Sequence, residues 1–179
     1  MSREEALDPL APLGSYAGAM GIPQFMPSSF RAYAVDGDGD GRRDLWNSWG
    51  DVFSSVANYL KLHGWRQDEP VMAPADVGGA DLAGLEFGRL ALTETVQSLR
   101  ARGVKFDTML PDDAPAVLLQ LAGPDGPQYR VGFTNFHAIT RYNRSQLYAS
   151  AVADLAEAIA AAAQPSPPAD FTSVSSLAE

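Results

Sequence analysis

The chain has 179 residues, 46% of them hydrophobic and 20% charged, which is the composition of a globular protein with a real core. A net charge of −9 and a pI of about 4.6 exclude nucleic acid as the main partner and suit a cation or a neutral glycan. The absence of cysteine excludes a disulfide framework, a thiolate zinc site and a lipid-modified cysteine in the sequence as given. No run reaches the ~18 apolar residues of a membrane span, and the charged start SREEALDP has no apolar core of an export signal.

Residues 2–7 read as the tail of a helix that Pro9 breaks. A glycine-rich, mostly apolar loop follows at 12–23, with Gly14, Gly18 and Gly21, and the polar Gln24 stands just beyond it. Such glycines let backbone approach a ligand closely. Pro27 suits the first position of a short helix that turns Phe30, Tyr33 and Ala34 inward. The run DGDGDG occupies 36–41. Val52, Val56, Tyr59 and Leu60 then show helical spacing over 52–63, closed by Gly64.

Composition changes after Trp65. Residues 66–90 are rich in Gly, Pro, Asp and Ala and read as loops with a short strand near 71–73. The spacing predicts a helix over 92–102, capped by Thr93, with Val96 and Leu99 toward the core. An apolar strand at 116–121, the turn GPDGP and a returning strand at 129–133 predict a hairpin. Helices are predicted at 136–142 and 145–163, the second alanine-rich, with Leu147, Val152, Leu155 and Ile159. Residues 164–179 read as disordered. The fold class is α+β, mostly helical.

The acidic run has the clearest chemistry. Ca²⁺ takes about 6–8 oxygen ligands in a flexible shell. Asp36, Asp38 and Asp40 fall at positions 1, 3 and 5 of an EF-hand-like loop, with Gly41 at the turn position. Arg42 follows and would give only its backbone carbonyl. The usual closing Glu is replaced by Asn47, so Asp51, at the start of the next helix, is the candidate closing ligand of a lengthened loop. The competing reading is a solvated Asp-Gly turn, although three carboxylates so close repel one another unless something neutralises them.

GSYAGAMGIPQFMPSS at 14–29, YAVDGDGDG at 33–41, then DLW, SVANY and HGW, and NFHAITRYNRS at 135–145 together resemble the membrane-bound lytic transglycosylase B family of peptidoglycan-cleaving enzymes. The likeness runs over about residues 1–163. It implies a partial lysozyme-like core over 1–65 that contains the calcium loop. It further implies a small α+β lobe with the hairpin over 66–134, and helices over 135–163 that return to the core. It also implies a structural Ca²⁺, a periplasmic location, peptidoglycan glycan strands as the partner, and a monomer. The expected activity is cleavage of the β-1,4 bond from N-acetylmuramic acid to N-acetylglucosamine with formation of 1,6-anhydro-muramic acid. The family's catalytic Glu belongs to an E-[ST]-x-x-G motif upstream of the glycine-rich loop. The sequence holds no such motif, which sets the expectation of a shortened form with no catalytic residue of its own. A non-catalytic peptidoglycan- and calcium-binding module and a goose-type lysozyme hydrolase are the alternatives.

Ser15, Gln24, Tyr59, Asn135 and Tyr142 are polar groups in apolar surroundings, as sugar sites require. Each could equally satisfy a backbone group at a turn or a helix end. The resemblance places Gln24, Tyr59 and Tyr142 along the peptidoglycan cleft. Phe25, Met26 and Trp46 read as core. Of the glutamates, Glu86 has apolar neighbours but not the family's pattern. His63 and His137 do not form a pair by spacing.

Overall fold

The computed structural model describes residues 14–163. The readings of a helix at 2–7 and of disorder at 164–179 lie outside these residues. Helix α1 is Pro27–Tyr33 and α2 is Trp49–Leu62. Then come strands β1, Met72–Ala75, and β2, Glu94–Thr95, and helix α3, Val96–Ala101. The hairpin strands are β3, Pro115–Gly123, and β4, Gly126–Gly132. Helices α4, Thr134–Tyr142, and α5, Gln146–Ala163, follow. The architecture is α+β: helices around one four-stranded antiparallel sheet of order β1-β4-β3-β2.

The sheet explains the unbroken apolar run of β3. Ala116 and Leu118 face one core cluster, with Val96, Leu99, Val104 and Val131. Val117 and Leu119 face another, with Phe136, Ile139, Ala149 and Ala153 of α4 and α5. A strand covered on both faces keeps no polar alternation. Opposite it, Gly132 pairs with Val117. A Cβ at Gly132 would stand 2.8 Å from the Phe136 ring, so the glycine admits the start of α4 against the sheet. At the hairpin end Gly123 pairs with Gly126, which takes φ +126.

Two local expectations are corrected, and the packing of α5 adds a third detail. Helix α2 begins at Trp49, because the Ser48 side chain caps it by accepting from the Asp51 N–H. Helix α3 is capped by Thr95 rather than Thr93, through reciprocal Thr95–Ser98 bonds, and residues 94–95 pair with β3 instead. Helix α5 packs with Ala149, Ser150 and Ala153, whereas Leu147, Leu155 and Ile159 are about 60% exposed. Its small side chains allow close approach to α4 and the sheet, and that closeness decides which apolar face is buried. Among the described residues no helix is long and apolar enough to cross a membrane.

Candidate functional site

Helix α2 organises two neighbouring features. At its start, Asp51 is 1% exposed. Its Oδ1 accepts from Gly37 N–H at 2.7 Å and its Oδ2 from Asp44 N–H at 2.7 Å, folding the acidic loop onto the helix. Gly37 is obligatory there: a Cβ would meet the Gly50 carbonyl oxygen at 2.3 Å and the Ser54 hydroxyl at 2.4 Å. Asp36 accepts from the N–H groups of Gly39 and Gly41 at 2.7 and 2.8 Å. The Gly41 bond is the main reason that its carboxyl lies below the usual range. Asp38 accepts from the Ser48 hydroxyl at 2.6 Å.

One carboxylate oxygen from each of Asp36, Asp38 and Asp51 lies within 4.8 Å of the other two. The donors are all hard oxygens on a glycine-bearing loop, which fits Ca²⁺ and not a soft transition metal. Asp40 stands apart from that trio; its carboxylate accepts from Arg42 N–H at 2.8 Å. The Arg42 side chain is exposed. Sequence reading missed Gly37 and Ser48, although Ser48-x-x-Asp51 is a legible capping pattern.

Further along α2, Tyr59 enters an aromatic cluster. Its ring lies 5.8 Å from Phe25, 4.7 Å from Tyr33 and 5.0 Å from Tyr142, centre to centre. Its hydroxyl donates to the Arg141 carbonyl at 2.7 Å, and the Tyr142 hydroxyl donates to the Pro23 carbonyl. Burial raises both phenol pKa values, so both hydroxyls remain protonated donors at neutral pH. These bonds fasten the glycine-rich loop and α2 to the end of α4. Within the loop, Met20 bridges to Gly14 and Phe25. Gly21 carries φ +65 with its Cα packed on the Leu45 backbone. Gln24 adopts φ +53, rare for a side-chain-bearing residue, and its amide donates to the Gly21 carbonyl at 3.0 Å.

All five sequence candidates for sugar contact bond to backbone. The Ser15 hydroxyl accepts from Ala19 N–H. Ser15 and Gln24 are nevertheless exposed and Tyr142 is half-buried, so these three can also face a ligand. Tyr59 is 8% exposed and contributes chiefly its ring. Asn135 is a correction. It is fully buried, and its amide accepts from Arg66 N–H and donates to the carbonyls of Arg66 and Glu69. Both its amide N–H donors and its carbonyl oxygen are engaged in holding residues 66–69, and its full burial keeps it from a cleft.

Met26 is a second correction to the core reading: it is 41% exposed, while Phe25 is 2% exposed. Of the described glutamates, Glu69 pairs with Arg66, Glu86 is exposed and pairs with Arg89, Glu94 accepts from Ser98, and Glu157 is exposed. None has the dry, uncommitted setting of a general acid. A separate open groove of about 470 Å³ lies on the sheet lobe between residues 74–77 and 127–130. Its acid, Asp76, is engaged by Gly78 N–H and Lys105.

The profile of the Transglycosylase SLT domain family matches residues 1–157. Membrane-bound lytic murein transglycosylase B of Escherichia coli (strain K12) is 44% identical over 162 residues, which are 90% of this chain and 44% of that protein. The solved E. coli lytic transglycosylase Slt35 in complex with calcium superposes with a TM-score of 0.78 at 42% identity, over 90% of this chain and 50% of that one. SltB3 from Pseudomonas aeruginosa in complex with NAG-anhNAM-pentapeptide superposes with a TM-score of 0.69 at 39% identity, over 83% of this chain and 40% of that one. The chain thus spans about half or less of the length of these relatives, and its fold is that of lysozyme-like lytic transglycosylases. Sequence, topology and superposition agree: the chain belongs to the transglycosylase SLT domain family.

Proposed function

We propose that this chain binds peptidoglycan glycan strands at the aromatic cleft and serves lytic cleavage of the MurNAc–GlcNAc β-1,4 bond. In that reaction a carboxylic acid protonates the glycosidic oxygen. The muramyl 6-hydroxyl attacks the anomeric carbon, and the same carboxylate takes the hydroxyl proton, leaving a 1,6-anhydro sugar and no water consumed. The described residues supply orientation rather than the proton. Gln24 lies between Pro23, which accepts from Tyr142, and Phe25, whose ring is 5.9 Å from that of Tyr142. This convergence of an exposed amide, a phenol and aromatic rings is the observation that supports the reading most. The complex of SltB3 with a peptidoglycan fragment supports the ligand class, and the murein-degrading relatives support a periplasmic site of action.

Asp36, Asp38 and Asp51 would hold Ca²⁺, with Asp40 and the Arg42 carbonyl as further oxygen donors of the loop. The ion neutralises the carboxylates and fixes the loop to α2; it has no part in bond cleavage. A second reading, a non-catalytic glycan- and calcium-binding module, is favoured by the engaged or exposed state of every described glutamate.

The test is product analysis by mass spectrometry after incubation with purified peptidoglycan. The 179-residue chain is expected to be retained on peptidoglycan and to release no product. Joined to a segment that carries the family's upstream E-[ST]-x-x-G motif, it is expected to release 1,6-anhydro-muropeptides. Release by the chain alone would place the acid within it. Reducing-end products would make it a hydrolase, and silence of both forms with retained binding would leave the module.

A further inference from the structure

We propose that His63 is a positioning residue that locks the Tyr59 ring, and through it Tyr142, in the geometry the cleft needs. The proposal rests on the glycan reading above and adds to it a residue outside the sugar contacts. His63 ends α2 and is half-buried. Its ring lies flat on that of Tyr59, 4.0 Å between centres and 18° between planes. Its Nδ1 is 2.8 Å from the Tyr59 carbonyl oxygen. A carbonyl only accepts, so Nδ1 is the donor of this bond, which ties the imidazole edge to the helix, while the stack is what covers the phenol ring. Tyr33 packs against both rings, 5.2 Å from His63 and 4.7 Å from Tyr59.

Tyr59 is therefore fixed at both ends. The Arg141 carbonyl holds its hydroxyl and His63 covers one ring face. Tyr142 stands edge-on to Tyr59 at 72°, so rotation of Tyr59 moves the wall that carries the Tyr142 phenol. A helix-ending histidine is commonly explained by the helix dipole and by a bond to one of the last carbonyls, as Nδ1 makes here, and neither role needs the ring stack on Tyr59.

Two substitutions separate the contacts. His63→Asn keeps a donor at the Nδ1 position and removes the stack. His63→Phe keeps the stack and removes the donor. Tyr59 ring flipping, read by aromatic NMR exchange without ligand, tests the lock itself. Affinity for the disaccharide GlcNAc-1,6-anhydro-MurNAc, read by titration calorimetry, tests its consequence. His63→Asn is expected to speed flipping by about tenfold and weaken binding about fivefold; one tenfold step corresponds to about 1.4 kcal/mol. His63→Phe is expected to keep both within about twofold. Unchanged flipping in His63→Asn, or fast flipping in His63→Phe, would overturn the proposal. A chain that shows the expected flipping pattern but binds no disaccharide would refute the glycan reading and leave the lock standing.

Discussion

Replacing Asp51 by Ala removes the acceptor of two backbone N–H groups, those of Gly37 and Asp44. A fully buried orphaned donor costs about 1–3 kcal/mol. Both donors here are only partly covered, so about 1–2 kcal/mol each is appropriate, or about 2–4 kcal/mol in total. That loss needs no metal. Ca²⁺ at 100 times its Kd adds about 2.7 kcal/mol to the parent chain, and the variant forfeits this as well. In Ca²⁺ the gap should therefore widen to roughly 5–7 kcal/mol.

Asp38→Ala is the control. Asp38 is exposed and bonds the Ser48 hydroxyl and Asp40 N–H. With chelator present it should be within about 0.5 kcal/mol of the parent, while losing the same Ca²⁺ response. Urea unfolding followed by tryptophan fluorescence, in saturating Ca²⁺ and in excess chelator, reads the stability of all three chains in both conditions. A parent midpoint that ignores both Ca²⁺ and chelator would refute the metal assignment. An Asp51→Ala variant as stable as the parent in chelator would refute the stapling argument.

Tyr142→Phe should cost roughly 0.5–1.5 kcal/mol through the lost bond to Pro23. The raised Tyr142 pKa stabilises the fold fully below the unfolded value of about 10 and is lost as pH rises beyond it, so the same change should flatten the alkaline limb of a stability profile. At the acid end, the lowered Asp36 pKa favours folding above the unfolded value of about 3.9 and is lost as pH falls through the folded value; Asp36→Asn should remove that dependence in a chelator titration. Gln24→Gly should relieve a left-handed residue and hold or raise the melting temperature while weakening retention on peptidoglycan. Gly37→Ala should abolish the Ca²⁺ response in a thermal melt, because its Cβ would clash with the Gly50 carbonyl.

What could be read from sequence was local. Asp36, Asp38 and Gly41 lie within one short loop, so their spacing alone suggests shared ligation, and Asp51 follows at the next helix. The hairpin of β3 and β4 was legible because GPDGP leaves two apolar runs no other short connection. The role of Asn135 was hidden because its partners, Arg66 and Glu69, lie 66 to 69 residues away. The buried face of α5 was not legible for a different reason. Its sequence is apolar nearly all round, so period fixes the helix but not which side is covered. Small residues won because the sheet and α4 come close. Asp40 shows what spacing within a loop leaves open: it fits the pattern, while its carboxylate accepts from Arg42 N–H and stands outside the trio of Asp36, Asp38 and Asp51.

The central claim is that the ligand surface is the patch of Ser15, Gln24 and Tyr142, backed by the buried rings of Phe25 and Tyr59, and it can be mapped residue by residue. Isotope-labelled chain is titrated with GlcNAc-1,6-anhydro-MurNAc in saturating Ca²⁺, and amide and aromatic shifts are followed by NMR. The account predicts saturable changes centred on Ser15, Gln24 and Tyr142, with Phe25, Tyr59 and His63 perturbed behind them. Changes confined to the groove at Pro74, Asp76, Gln128 and Arg130, or no saturable change at all, would contradict it.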